Sequence, residues 1–161
     1  MPEVGDRRRT ATPPPAAARR ARPVVLGTLS VAVDPSAEEM AISSALEAGV
    51  PLVVANMLAL PPYPATLMLA GASVATLPHE EALDDVRATA HRAADLGIRT
   101  ELLRITTRRP VRALLELAAE REAGLLVFGP DLGRTRRRRF RAAARQVRRD
   151  AGCLVWIAPD G

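Results

Sequence analysis

Gly129-Pro130-Asp131-Leu132-Gly133 closes an apolar run, and Arg134, Arg136, Arg137, Arg138, Arg139 and Arg141 follow within eight residues. A glycine-bearing turn that leaves a buried strand and enters a helix offers backbone N–H groups to an anion. Guanidinium groups beside it add strong, directional donors. The chemistry this spacing predicts is capture of a phosphorylated ligand.

Other chemistry finds little to work with. All 23 basic residues are arginine, so a P-loop lysine, a Schiff-base lysine and a lysine general base are excluded. The histidines, His79 and His91, stand twelve residues apart on one helical pattern and read as solvated surface. Ser36 and Ser43 lack a histidine placed by any motif, and Cys153, at the start of a strand pattern, reads as a packed thiol. No Cys/His cluster has metal-ligand spacing, and a lone cysteine makes no internal disulfide, which points to a reducing cytoplasm.

The elements that must position the turn come from the hydrophobic pattern. With 161 residues, 48% apolar, the chain supports one domain with a core of Leu, Val, Ile and Ala. Aromatic residues are 2%, too few for a platform that stacks bases. Residues 1–22, with Pro13-Pro14-Pro15 and six arginines, read as a disordered basic arm, leaving 23–161 as the domain. Charge follows this division: residues 24–133 carry eight arginines against fourteen acids, and residues 134–161 nine arginines against two aspartates.

Val24–Val33 is a β-branched run that reads as a strand covered on both faces. Ser36 and Glu39 then fit a capping box for a helix that Gly49 ends. Pro51–Leu58, Ile98–Ile105, Leu125–Phe128 and Leu154–Ala158 read as further strands. Helices are predicted over Pro78–Leu96, from Pro110 to a stop at Gly124, and over about Phe140–Asp150. Residues 59–78, proline-rich and then apolar, read as a loop over the sheet edge, with 65–77 as a surface for a protein partner. The uncharged stretch Ala48–Pro78 is cut by Pro51, Pro61, Pro62 and Pro64 into pieces too short to span a bilayer. Arg19, Arg20 and Arg22 before Val24–Val33 imitate a secretion signal, but the run leads directly into a capped helix, so no membrane association is expected.

Strands alternating with helices at this spacing predict an α/β fold: a single doubly wound, five-stranded parallel sheet flanked by helices. Ligands of such sheets sit at the carboxyl ends of the strands where the winding reverses. Those ends are Asp34, Asn56 to Leu58 and Gly129.

Val31-Ala-Val-Asp34-Pro-Ser36, Ala45-Leu-Glu-Ala48, Val111-Arg-Ala-Leu-Leu-Glu-Leu-Ala118, Gly124-Leu-Leu-Val-Phe-Gly129 and Cys153-Leu-Val-Trp-Ile157 resemble the universal stress protein family over about residues 24–158. The resemblance implies the adenine-nucleotide alpha-hydrolase-like sheet. It also implies ATP as ligand in those members that bind one, with Asp34 on the nucleoside, backbone at Asn56 or Met57 on adenine, and Gly129, Gly133 and Arg134 around the phosphates. The family's phosphate loop, G-x2-G-x9-G-[ST], is altered here. Three residues separate Gly129 from Gly133, and nine past Gly133 stand Ala143-Ala144 in place of Gly-Ser. Alanine supplies neither the close backbone approach nor the hydroxyl donor, and Pro130 removes an N–H.

The reading favoured by these departures is a non-enzymatic regulatory or scaffold protein that is not a strong ATP binder. It pairs as a homodimer through Cys153–Ala158, whose apolar edge needs a cover. One alternative is an ATP-binding stress protein in which arginines replace the missing Gly-Ser. Another is polyanion binding through the Arg134–Arg149 face. The phosphate motifs SGGxDS and HIGH of related adenylating enzymes are absent from the sequence.

Overall fold

Apolar runs form the middle layer, as their pattern requires, and amphipathic helices cover both its faces. The computed structural model describes residues 21–60 and 79–158. The order is β1 (Val24–Leu29), α1 (Pro35–Ala48), β2 (Leu52–Ala59), α2 (His79–Asp95), β3 (Thr100–Thr107), α3 (Pro110–Glu120), β4 (Leu125–Phe128), α4 (Arg137–Asp150) and β5 (Leu154–Ile157). The strands make one parallel sheet ordered β3-β2-β1-β4-β5, with Val24 of β1 level with Leu52 of β2 and Leu125 of β4. This is the predicted doubly wound sheet, and its winding reverses between β1 and β4.

The two faces bury separate cores. Val24, Leu26, Leu52 and Val54 pack with Ala37, Ala41 and Ala45 of α1 and Val86, Ala90 and Ala93 of α2. On the other face Val25, Val53, Leu126 and Phe128 meet Leu114 and Leu117 of α3 and Phe140 and Val147 of α4. Alternate residues of one strand thus serve opposite layers, which is why the central strands are apolar over most of their length, with Thr28 and Asn56 the buried polar exceptions. The Phe128 and Phe140 rings stack with centroids 6.0 Å apart.

Four local expectations are corrected. β1 stops at Leu29 rather than Val33: Ser30 takes φ 55°, and Thr28 Oγ1 donates to the carbonyls of Val31 (2.8 Å) and Ala32 (3.2 Å), folding the chain out of the sheet. The cap of α1 is Asp34 and not Ser36, because Asp34 Oδ1 accepts from the Ser36 N–H at 2.9 Å and from the Ser36 hydroxyl. α3 ends at Glu120 with the left-handed residue at Glu122 (φ 51°), ahead of the expected Gly124. α4 begins at Arg137, so Arg137, Arg138 and Arg139 belong to its first turn and not to the turn before it. Gly49 ends α1 as read, in the left-handed conformation at φ 62°. The loop and partner surface expected over 59–78 and the basic arm fall largely outside the described residues.

Candidate functional site

The winding reversal brings the segment after β1 against the segment after β4, and the two are joined edge to edge. Val33 and Pro130 form an isolated antiparallel bridge. The Asp34 N–H donates to the Gly129 carbonyl, and the Asp131 N–H to the Ala32 carbonyl, each at 2.9 Å. The predicted residues Asp34, Gly129 and Gly133 therefore lie in one place, at the carboxyl ends of the central strands.

Several of their hydrogen-bonding groups already have partners within the chain. The Gly129 N–H extends the ladder to the Gly27 carbonyl at 3.1 Å, and the Gly133 N–H donates to Asp131 Oδ1 at 2.8 Å. Asp34 Oδ1 holds the first turn of α1. The Met57 carbonyl, where a base edge was expected, accepts from Ser30 Oγ at 3.2 Å. The same Ser30 oxygen accepts from the Ala59 N–H at 3.1 Å, and the Ser30 N–H donates to Asn56 Oδ1 at 3.1 Å. Thus Ser30, not singled out as a site residue in the sequence, ties the end of β1 to the end of β2. The signal available for it was a polar residue interrupting a β-branched run.

Gly129 also has a packing duty. A Cβ built on it would stand 2.0 Å from the Ala37 Cβ, so α1 can approach β4 only where β4 has no side chain.

Arg134 does not stand free over the turn. Its guanidinium lies 3.8 Å from Asp85 of α2 and 3.9 Å from Asp131. Beside it a groove of about 700 Å³ opens between α1 and α2, lined among others by Glu38, Glu39, Asp85, Asp131 and Arg92. Its four carboxylates are met by two guanidinium groups, Arg92 at Glu38 and Arg134 beside Asp85 and Asp131, which leaves a net negative charge that disfavours phosphate. At its wall Glu38 receives hydrogen bonds from Arg92 (2.5 and 2.6 Å) and Thr89 (2.7 Å), tying α1 to α2. Burial alone would raise the Glu38 carboxyl, but these hydrogen bonds and the Arg92 charge outweigh it and hold the group below its ordinary value.

Among the described residues two buried polar atoms have no partner: Asn56 Nδ2, on a residue 1% exposed, and Thr135 Oγ1. Each forgoes a bond that water would have supplied. Among the described residues no group of His, Cys, Asp or Glu could hold a metal ion, and no helix is long and apolar enough to cross a membrane. His91 is exposed on α2. Burial pushes the Cys153 thiol upward, a hydrogen bond with Leu126 backbone opposing it, so the thiol is not activated.

The model of the universal stress protein family matches residues 21–159. Among curated proteins no sequence matches. Of solved structures, a universal stress protein from Archaeoglobus fulgidus is similar at 22% identity and a TM-score of 0.59, covering 84% of this chain and 97% of the other. The Archaeoglobus fulgidus protein in complex with dAMP aligns at 19% identity and a TM-score of 0.58, covering 86% and 98%. The universal stress protein UspA from Lactobacillus plantarum aligns at 16% identity and a TM-score of 0.61, covering 85% and 98%.

Proposed function

The chain belongs to the universal stress protein family, and on that premise we propose that it is a non-enzymatic regulatory or scaffold member whose nucleotide site is closed by its own side chains. The observation that supports this reading is that several expected ligand contacts already have partners within the chain. Asp34 Oδ1 caps α1, the Met57 carbonyl accepts from Ser30, the N–H groups of Gly129 and Gly133 are bonded, and Arg134 stands beside Asp85 and Asp131. A phosphate that takes the N–H groups of Gly129 and Gly133 must displace their present acceptors, and that cost subtracts from affinity.

The dAMP bound by the Archaeoglobus fulgidus relative makes an adenine nucleotide the ligand to test first. Calorimetric titration of ATP at several salt concentrations is expected to give a Kd above about 1 mM. Asp34→Ala is expected to lower the unfolding free energy by about 1 kcal/mol with or without ATP, as loss of a helix cap does. Saturable micromolar binding abolished by Asp34→Ala would instead establish the ATP-binding alternative, with Asn56 Nδ2 as a donor left over for the base.

The scaffold reading includes a homodimer through β5. This strand is the outer edge of the sheet beside β4, Leu154 is 75% exposed, and Val155, Trp156 and Ile157 are half-buried. An apolar edge with unpaired backbone groups gains from a second copy laid against it. Sedimentation is expected to give a dimer that Val155→Pro, which removes an edge N–H and fixes φ, shifts to monomer. A monodisperse wild-type monomer at high concentration would remove the pairing from the proposal.

A further inference from the structure

We propose that the outward face of α4 is a docking surface for the phosphate backbone of duplex nucleic acid, read without regard to sequence. Arg137, Arg141, Arg145 and Arg148 recur at spacings of four, four and three residues, which places them in one stripe along the helix. All four are exposed, as are Arg138, Arg139 and Arg149, while Phe140, Ala143, Ala144 and Val147 hold the opposite face to the sheet.

Arginine stands for lysine throughout the chain, so the choice of arginine here is not distinctive. The shortage of acids is distinctive. α3 balances Arg112 with Glu116 at 2.7 Å, and α2 balances Arg87 with Asp84 at 3.2 Å. Seven arginines of α4 face one acid, Asp150, which pairs with its neighbour Arg149 at 2.8 Å.

The arrangement also works against the helix that carries it. Arg137, Arg138 and Arg139 occupy the first turn, where the macrodipole disfavours cations, and the capping residue Arg136 makes no side-chain cap. The pairs 137/141, 141/145 and 145/149 set like charges four residues apart, which destabilises a helix. Charge placed where the fold disfavours it is relieved by a polyanion.

The form of the face selects among polyanions. At 1.5 Å per residue the stripe from Arg137 to Arg148 is about 16 Å long, about half a helical turn of a duplex whose axis carries one charge per about 1.7 Å over both strands. Ala142 is the only apolar side chain among the exposed residues of α4, so nothing there inserts into a bilayer. No aromatic side chain stands on this face, so base stacking does not contribute and a duplex backbone suits it better than a single strand. Arg22 lies by Gly152 and Cys153 just past the end of α4 and adds one more guanidinium at that end.

The test is fluorescence anisotropy with a labelled mixed-sequence 20-base-pair DNA duplex, using full-length protein from about 20 to 200 mM NaCl. Replacing Arg137, Arg141, Arg145 and Arg148 together by Gln, all exposed positions, is expected to weaken binding at least about tenfold at the lowest salt. The slope of log K against log salt should become shallower by about 3.6 for four lost phosphate contacts. The variant should melt no lower than wild type, since it loses like-charge repulsion. Three results overturn the proposal: no wild-type binding at low salt, an unchanged slope in the variant, or equal variant-sensitive binding to vesicles containing phosphatidylserine, which would assign the face to membranes. None of these results depends on ATP.

Discussion

Gly129→Ala is expected to lower the unfolding free energy by about 3 kcal/mol, seen as a fall in Tm of about 10 °C, without any ligand present. The new methyl group would overlap the Ala37 Cβ, 2.0 Å away, and Ala37 is fully buried in α1 with no rotamer to change. Relief then requires α1 to lift off β4, opening a core that includes Ala41, Ala45 and Val127. The same contact predicts its own repair. Ala37→Gly alone costs about 1 kcal/mol of helix propensity, and the Gly129→Ala/Ala37→Gly pair should be close to that single loss instead of the sum. Denaturant melts of the four proteins measure the coupling. Additive losses would show that Gly129 is needed for its backbone and not for its missing side chain, reviving a phosphate role for it.

Phe140→Ala is the second large effect, a loss of about 3–4 kcal/mol. Phe140 is 4% exposed and stacks on the fully buried Phe128, so its ring ties α4 to the sheet. The remaining anchors, Ala143, Ala144 and Val147, are small, and the removed ring leaves a cavity that they cannot fill. Amide exchange in α4 should accelerate more than in α1, which packs in the other core. Uniform acceleration through both layers would instead mean that the two cores unfold as one unit.

Much of this architecture was legible in the chain. Apolar β-branched runs at β1, β2 and β4 and amphipathic spacing at α2 and α3 carry the layer order, because burial on two faces or one imposes its period on the residues. Boundaries failed where a polar side chain acted locally. Ser30 and Thr28 looked like dents in a longer strand, since Val31 and Val33 continue the β-branched pattern past the point where the hydroxyl of Thr28 captures two carbonyls. The start of α4 was placed too late because Arg137, Arg138 and Arg139 have no apolar partner to reveal the period.

The candidate site divides differently. The winding reversal follows from the order of elements, and the residues named from it, Asp34, Met57, Gly129 and Gly133, lie toward the carboxyl ends of the strands. The bonds made there within the chain do not follow from that order. The capture of the Met57 carbonyl by Ser30 spans 27 positions, and the reach of Arg134 to Asp85 crosses between layers.

Residue types and periodicity by themselves determined the sheet and the unbalanced charge of α4, since each is a property of local pattern and burial, while the family followed from the resemblance of particular segments. Only the tertiary structure decided that Gly129 makes room for Ala37, that a carboxylate-lined groove adjoins the expected phosphate turn, and that Asp34 Oδ1 caps α1. Hydrogen-bonding capacity is finite, and which partner uses it depends on atoms brought together from distant parts of the chain.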